Sequence, residues 1–365
     1  MTYIFSMIAL NVNQKKTLKV ADKIWHLGGN TGNIVWFESV RRSIKYDFMG
    51  GCPNLDSETI NIVLPMANQI HATDTSLESL NNQLSLWNGD RYKVTMIGLG
   101  AQLTAELNTP KKLVAQLSYE QKNALKELSS RTESIGIRGS ITAECLELMG
   151  IKNYRIIGCP SFYLNDIEDT GDDKKASADK LCVSWGSVDY ANEQHLREFF
   201  RHNAREGDIL LLQAMDDFPR TLYEGAGLEE RHIKRCYPDM NTDPLEIESY
   251  IKTRGHMFFD WDTWQDFLKK EQFTLSVGCR FHGNMMSYLA GIPALWIVHD
   301  SRTRELCEAM ALPCLELEQA VKMKERAQFA ECCVYGERFY TNKEKMYQTY
   351  RAFLKENGIE YVQRQ

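Results

Sequence analysis

Short apolar runs alternate with stretches of helical period along this chain, in two consecutive series broken by one polar segment. Such alternation implies βαβ units, because parallel strands need a crossover connection, usually a helix. In the first series, residues 23–27 read as a strand, 28–33 as a Gly/Asn turn, and 34–44 as a helix with Ile34, Phe37, Val40 and Ile44 on one face. Strands are expected at 59–64, 93–98, 134–137 and 154–157, and helices at 118–131 and 140–149. In the second series, strands are expected at 181–185, 208–213, 256–259, 273–277 and 293–298. Helices are expected there at 192–205, 261–270, 284–290 and 303–311. A charged helix over 341–356 follows, with Tyr347, Tyr350 and Phe353 available to dock on the body.

The break itself, 165–180, reads NDIEDTGDDKKASADK and lacks any large aromatic residue, so it is expected to be a solvated linker. A chain of 365 residues exceeds the usual single domain of about 100–200 residues. The reading is therefore an α/β protein of two Rossmann-like domains facing across a cleft. The N-terminal domain spans 1–165, an acidic linker 166–180, the C-terminal domain 181–335, and a helix in 336–365 packs back on the body. Ligands in such sheets sit beyond the carboxyl ends of the strands.

Charge narrows the partners. The formal net charge of −6 gives no global positive field for nucleic acid or an anionic membrane. Ten cysteines without a Cys-x-x-Cys pair read as reduced, mostly buried thiols rather than a disulfide scaffold, which belongs to small secreted chains. The first ten residues lack a basic leader, and no apolar run reaches the roughly 18–20 residues of a membrane span. A soluble, cytoplasmic protein is expected.

The richest candidate site is 276–286, Ser-Val-Gly-Cys-Arg-Phe-His-Gly-Asn-Met-Met. A strand ends at Gly278, Arg280 offers a planar cation suited to phosphate or carboxylate, and His282 can carry a proton near neutral pH. Phe281, Gly283 and Asn284 complete the turn into a helix whose start can receive an anion. Arg138 takes the same topological place in the first series, with Ser140 as the expected helix cap. His299 ends the following strand and could reach the same cleft, with Arg302 and Arg304 after it. The glycine turn 28–33, with Asn30, Gly32 and Asn33, and the strand-end turn 98–102, with Gly100 and Gln102, would let backbone approach a ligand closely. The first lacks the Gly-x-Gly-x-x-Gly spacing of a dinucleotide site. Trp261 and Trp264, at helical spacing, read as core. A P-loop, a Gly-x-Ser-x-Gly elbow, His-Glu-x-x-His and other metal-ligand spacings are absent from the sequence, so no metal or cofactor is expected.

In order, these segments resemble the polysaccharide pyruvyl transferase family. The resemblance rests on Gly29-Asn-Thr-Gly-Asn33, Gly98-Leu-Gly100, Arg138-Gly-Ser140 leading to Leu146-Glu-Leu-Met-Gly150, and Gly278-Cys-Arg-Phe-His-Gly283 with Ala290-Gly-Ile-Pro293. It covers about 28–315. Two positions depart from the family pattern: Gly139 stands where many members have Asp, and His299 where an aromatic residue is common. The resemblance implies a fold like two-domain (GT-B type) glycosyltransferases and metal-free use of phosphoenolpyruvate. The implied reaction attaches pyruvate as a ketal across two hydroxyls of a sugar, free or lipid-linked, in a glycan precursor or exopolysaccharide, releasing phosphate. On that pattern, Arg280 and Arg138 clamp the donor and His282 transfers the proton, with His299 in reserve. Gly278, Phe281, Gly283, Asn284 and Ser140 line the donor side. Asn30, Gly32, Asn33, Asn68, Gly100 and Gln102 face the acceptor. A nucleotide-sugar glycosyltransferase of the same fold and a non-catalytic glycan-binding protein are the alternatives.

Overall fold

The computed structural model describes residues 1–6, 8–9, 17–50, 60–85, 92–164, 170–185, 193–215, 218–228, 233 and 243–362. The two-Rossmann architecture expected from the sequence is the one found. The first sheet holds β1 (Thr2–Phe5), β2 (Phe48–Gly50), β3 (Ile60–Pro65), β4 (Tyr92–Leu99), β5 (Ile135–Ile137) and β6 (Tyr154–Ile156), in the order β2-β1-β3-β4-β5-β6. The second holds β7 (Leu181–Ser184), β8 (Ile209–Leu211), β9 (Gly255–His256), β10 (Leu275–Gly278), β11 (Ala294–Val298) and β12 (Cys314–Glu316), in the order β12-β11-β10-β7-β8-β9. Every pairing in both sheets is parallel.

Helices α1 (Val20–His26), α2 (Asn33–Ser43), α3 (Ser76–Ser85), α4 (Pro110–Gln116), α5 (Tyr119–Ser130) and α6 (Ser140–Leu148) belong to the first lobe. The second lobe carries α7 (Glu193–His202), α8 (Pro219–Glu224), α9 (Pro244–Arg254), α10 (Trp261–Glu271), α11 (Phe281–Leu289), α12 (Ser301–Met310), α13 (Leu317–Ala320) and α14 (Arg326–Cys332). Sheets of this kind are covered on both faces, and the strands show it. In β3, Ile60, Ile62 and Leu64 enter one core, and Val63 enters the other. That second core is continuous with the interior of the C-terminal lobe, so the lobes share apolar packing.

The last helix, α15 (Glu337–Glu356), leaves the C-terminal lobe and lies against the first. Tyr350 stacks on Tyr163 with ring centroids 4.2 Å apart, and its hydroxyl is 3.0 Å from Ser43 Oγ. Phe353 occupies the space over Gly136 of β5, where a Cβ would come within 2.9 Å of its ring.

Several elements differ from the sequence reading. Residues 23–26 belong to helix α1, with Leu27 as its C-cap, rather than to a strand; Val20, Ile24 and Leu27 are buried at helical spacing, a pattern too short to outweigh the local apolar run. The first strand is instead Thr2–Phe5. The segment after residue 169 is not simply solvated: Asp172 is buried, where it accepts bonds from the Tyr288 hydroxyl at 2.6 Å and from Lys343 Nζ at 2.9 Å. Residues 165–169 of the expected linker lie outside the described residues. Trp261 and Trp264 are core residues, as read.

Candidate functional site

The carboxyl ends of β10 and β11 meet the first lobe at a crevice of about 110 Å3. It is lined from the first lobe by Asn30, Asn33, Asn68 and Arg138, and from the second by Gln213, Arg280, Phe281, His282, His299 and Arg302. A larger cavity of about 860 Å3 lies at the β9 edge, lined by residues such as Lys23, Tyr223, His256 and Phe259, but it contains none of these arginines.

Gly278 ends β10 with φ 153°, and a Cβ there would stand 1.8 Å from the Ser184 carbonyl of β7. It serves strand packing, not ligand contact. Arg280 precedes the first turn of α11, which begins three residues earlier than the sequence implied, so His282 sits inside that turn. Asn284 is buried and knits the strand ends together. Its amide donates to the Gly278 and Leu295 carbonyls at 2.8 and 3.1 Å, and its oxygen accepts from Ser276 Oγ at 2.9 Å. Neither Gly278 nor Asn284 lines the crevice.

Three further glycines make room for neighbours. A Cβ on Gly283 would lie 2.4 Å from Gln213 Nε2, and one on Gly32 would lie 2.5 Å from Gln213 Oε1. Gln213 thus seats its amide between a glycine of each lobe. The same junction is tied by the backbone, where Thr31 N–H donates to the Gln213 carbonyl at 2.8 Å. Gly100 clears space for Arg138, whose Cδ would be 2.6 Å from a Cβ there. Gln102 does not line the crevice. Ser140 is exposed and is the first residue of α6 rather than its cap.

Arg138 is only 2% exposed. Its Nε donates to the Gly98 carbonyl at 3.0 Å and one terminal nitrogen to Asn68 Oδ1 at 2.6 Å. Among the described residues its other terminal nitrogen is buried with no hydrogen-bond partner. Buried polar groups normally have partners, so an atom of this kind on a crevice wall points to a ligand acceptor. Asn30 and Asn33 spend much of their capacity on the loop: Asn30 Oδ1 accepts from Gly32 N–H at 2.7 Å, and Asn33 Nδ2 donates to the Leu27 carbonyl at 2.8 Å.

Electrostatics favour an anion. Burial, together with the guanidinium groups of Arg138 and Arg302, pushes the His282 imidazole well below its ordinary range. Burial also lowers His299, against the pull of Asp300. Burial works to raise Asp300, but Arg302 and His299 hold its carboxyl below the usual carboxylate range. Arg302 grips Asp300 with Nε at 2.6 Å. The crevice is therefore ringed by three guanidinium groups and two imidazoles that favour the neutral form. Arg302 and Gln213 were not singled out as site residues by sequence. Arg302 follows an N-cap Asp at a strand end, and Gln213 closes an apolar strand run, so the rule that ligands sit at strand carboxyl ends could have found both.

Among the described residues no group of three His, Cys, Asp or Glu side chains could hold a metal ion, and no helix is long and apolar enough to cross a membrane. The family model for polysaccharide pyruvyl transferase matches residues 61–301. No curated protein matches the chain. Among solved structures, a protein from Klebsiella pneumoniae aligns at 11% identity and TM-score 0.40, over 77% of this chain and 84% of that one. The UDP complex of S. aureus MnaA aligns at 10% identity and TM-score 0.36, over 97% and 96% respectively.

Proposed function

As the chain belongs to the polysaccharide pyruvyl transferase family, we propose that its crevice binds phosphoenolpyruvate and transfers the pyruvyl group to a glycan as a cyclic ketal. The observation that carries this reading is the partnerless terminal nitrogen of buried Arg138 on a wall shared with Arg280 and Arg302. A small ligand bearing both phosphate and carboxylate gives each guanidinium an oxygen to meet, the pairing this group favours. The volume of about 110 Å3 suits such a donor better than a nucleotide-sugar, since sites for larger ligands run to about 300–1,000 Å3.

The chemistry needs a proton at the methylene carbon of the donor, which becomes a methyl group. The neighbouring carbon then carries oxocarbenium character, and one sugar hydroxyl adds to it. The carbon–oxygen bond to phosphate breaks, and the second hydroxyl closes the ketal. The two hydroxyl protons balance the reaction, one ending in the methyl group and one leaving with phosphate. His282 is the proton carrier in this scheme, and His299 stands in reserve. The cations that depress His282 are the ones the donor neutralises, so donor binding raises the proton affinity of the imidazole. Asn30, Asn33 and Asn68 flank the acceptor side, and a phosphoenolpyruvate-consuming reaction is placed in the cytoplasm.

The test is incubation with phosphoenolpyruvate and candidate glycans, following phosphate release and a ketal mass gain on the acceptor. Thermal stabilisation by phosphoenolpyruvate but not by UDP-sugars is expected, because a native-state ligand raises apparent stability. Stabilisation by nucleotide-sugars alone, with nucleotide release, would overturn the reading in favour of glycosyl transfer.

A further inference from the structure

Helix α12 meets the first lobe along one face and the crevice along another. Ser301 and Glu305 lie one turn apart and face the first lobe. The Ser301 hydroxyl accepts the Leu103 N–H at 3.0 Å. The Glu305 carboxylate accepts the Thr142 N–H at 2.6 Å and the Thr142 hydroxyl at 3.1 Å. Arg302 and Leu306, also one turn apart, line the crevice. Residues four apart share a helix face, so the same helix measures the lobe spacing and furnishes the site.

Thr142 is the third residue of α6, whose first amides have no partner within the helix and favour negative charge. Glu305, 1% exposed, supplies that charge from the other lobe. The Thr142 hydroxyl also accepts the Ala101 N–H at 2.9 Å. Gly139 lies between Arg138 and this helix start, and a Cβ on it would stand 2.4 Å from Glu305 Cγ. A carboxylate of one lobe therefore holds the helix start that directly follows the crevice arginine of the other.

We propose that Glu305 is a positioning residue: by capping α6 across the lobe boundary it sets Arg138 at the spacing from Arg280 and His282 that one anionic ligand spans. The ligand's identity as phosphoenolpyruvate rests on the reading above; the cross-lobe grip does not. Burial pushes the Glu305 carboxyl up to about 7, against its bonds to Thr142 and the attraction of Arg138. The Cys145 thiol on α6 also feels the Glu305 charge, and the Ile141 backbone N–H lowers the Glu305 carboxyl. From the last helix, α15, Asn342 offers its amide to the Ala309 carbonyl, a neutral contact. As pH rises through about 7, the carboxyl ionises against its burial and the grip weakens.

The test compares the wild-type chain with Glu305→Ala and Glu305→Gln from pH 6 to 8. Glu305→Gln keeps an acceptor oxygen but cannot ionise. Two quantities are read: amide hydrogen exchange over 138–146 and 279–284, and calorimetric affinity for phosphoenolpyruvate. Glu305→Ala is expected to speed exchange in both segments and to weaken donor binding by about tenfold or more, the effect of leaving a buried amide without its acceptor. Glu305→Gln should restore most of both. As pH rises, wild type should lose affinity relative to Glu305→Gln; the donor phosphate, titrating at about 6, affects both equally. Wild-type exchange at 279–284 in Glu305→Ala, wild-type donor affinity in that variant, or parallel pH profiles for wild type and Glu305→Gln would each overturn the proposal. If wild type does not bind phosphoenolpyruvate, the donor reading fails, and exchange at 279–284 alone decides the grip. If Glu305→Ala does not fold, Glu305→Asp, whose shorter side chain draws back from Thr142 and leaves the Ala101 bond in place, provides the same comparison in milder form.

Discussion

The imidazole Nε2 of His282 lies 3.4 Å from the sulfur of Cys159, a contact that crosses from one lobe to the other. The Ser161 hydroxyl donates to the same sulfur at 2.9 Å. Burial pushes the Cys159 thiol up, outweighing the pull of Arg138. The sulfur thus stays a neutral thiol against the ring.

Replacing His282 with Ala should lower kcat by about 10²–10⁴-fold, the usual contribution of a proton-transferring side chain, with the phosphoenolpyruvate KM little changed. Cys159→Ala should lower kcat by a smaller factor, and Cys159→Ser should restore it. Steady-state kinetics on the three variants checks this. Unimpaired turnover in His282→Ala removes the residue from the mechanism.

The arginines should separate by readout. Arg280→Ala is expected to raise the phosphoenolpyruvate KM by about 10- to 100-fold, the worth of hydrogen bonds to a charged group. Arg280→Lys should recover little of it, because a point charge cannot reproduce the planar fork. Arg138→Ala should show the same KM effect together with a lower Tm, since Arg138 also holds Asn68 and the Gly98 carbonyl. Saturation curves and melting curves on the same preparations distinguish the two.

Gly278→Ala should destabilise the fold by about 3 kcal/mol, the upper range for forcing extra volume into a packed site. The added methyl would press on the Ser184 carbonyl, and neither strand end can move without losing its ladder. Urea denaturation measures the loss; a wild-type midpoint would contradict the packing role.

Buried groups at the crevice give stability two opposing pH dependences. Glu305 is raised in the folded state from 4.5 to about 7, so the native chain holds a proton that the unfolded chain releases. Its contribution is present below about 4.5 and lost as pH rises through 7. His282 and His299 are lowered from 6.5, so their contribution is present above that value and lost as pH falls. In Glu305→Gln only the histidine arm remains. Between pH 8 and 5.5 its Tm should therefore fall further than that of wild type, as calorimetry would show.

Thiol labelling should be selective. Cys314 is exposed, and its hydrogen bond from Cys307 lowers its thiol, whereas burial raises Cys159, Cys279 and Cys307. The thiolate is the reactive form. Brief iodoacetamide treatment of the native chain at pH 8 should modify Cys314 well before those three, and peptide mass spectrometry reads the order.

The architecture was legible because most strands are short apolar runs beside a turn; β1, β2 and β12 were not read, and β2 is a largely exposed edge. Arg138, Arg280, His282 and His299 could be placed at strand ends, since strand ends are visible in one dimension, and the fold brings the four to one crevice. Gly32, Gly100, Gly278, Gly283 and Asn284 do not line the crevice, and the packing that the glycines serve was not legible for a physical reason. A glycine required by a distant neighbour looks the same in sequence as one required by a ligand. The neighbours here are Gln213, Arg138 and Ser184, which lie far along the chain. Gln213 itself gave no signal beyond its place at the end of a strand run. Asp172 was hidden in a charged tract because its partners, Tyr288 and Lys343, come from elements more than 100 residues later.

Helix α15 has a consequence for synthesis. Asn357, just past its end, accepts the Ser134 N–H at 3.3 Å, and Phe353 covers Gly136, so β5 of the N-terminal sheet is covered by residues translated after the whole second lobe. A ribosome that has released the whole first lobe has not yet made the piece that seals it. Truncation ahead of Glu337 should leave a nascent-like intermediate with bare β5, a natural client for chaperones and a target for proteases.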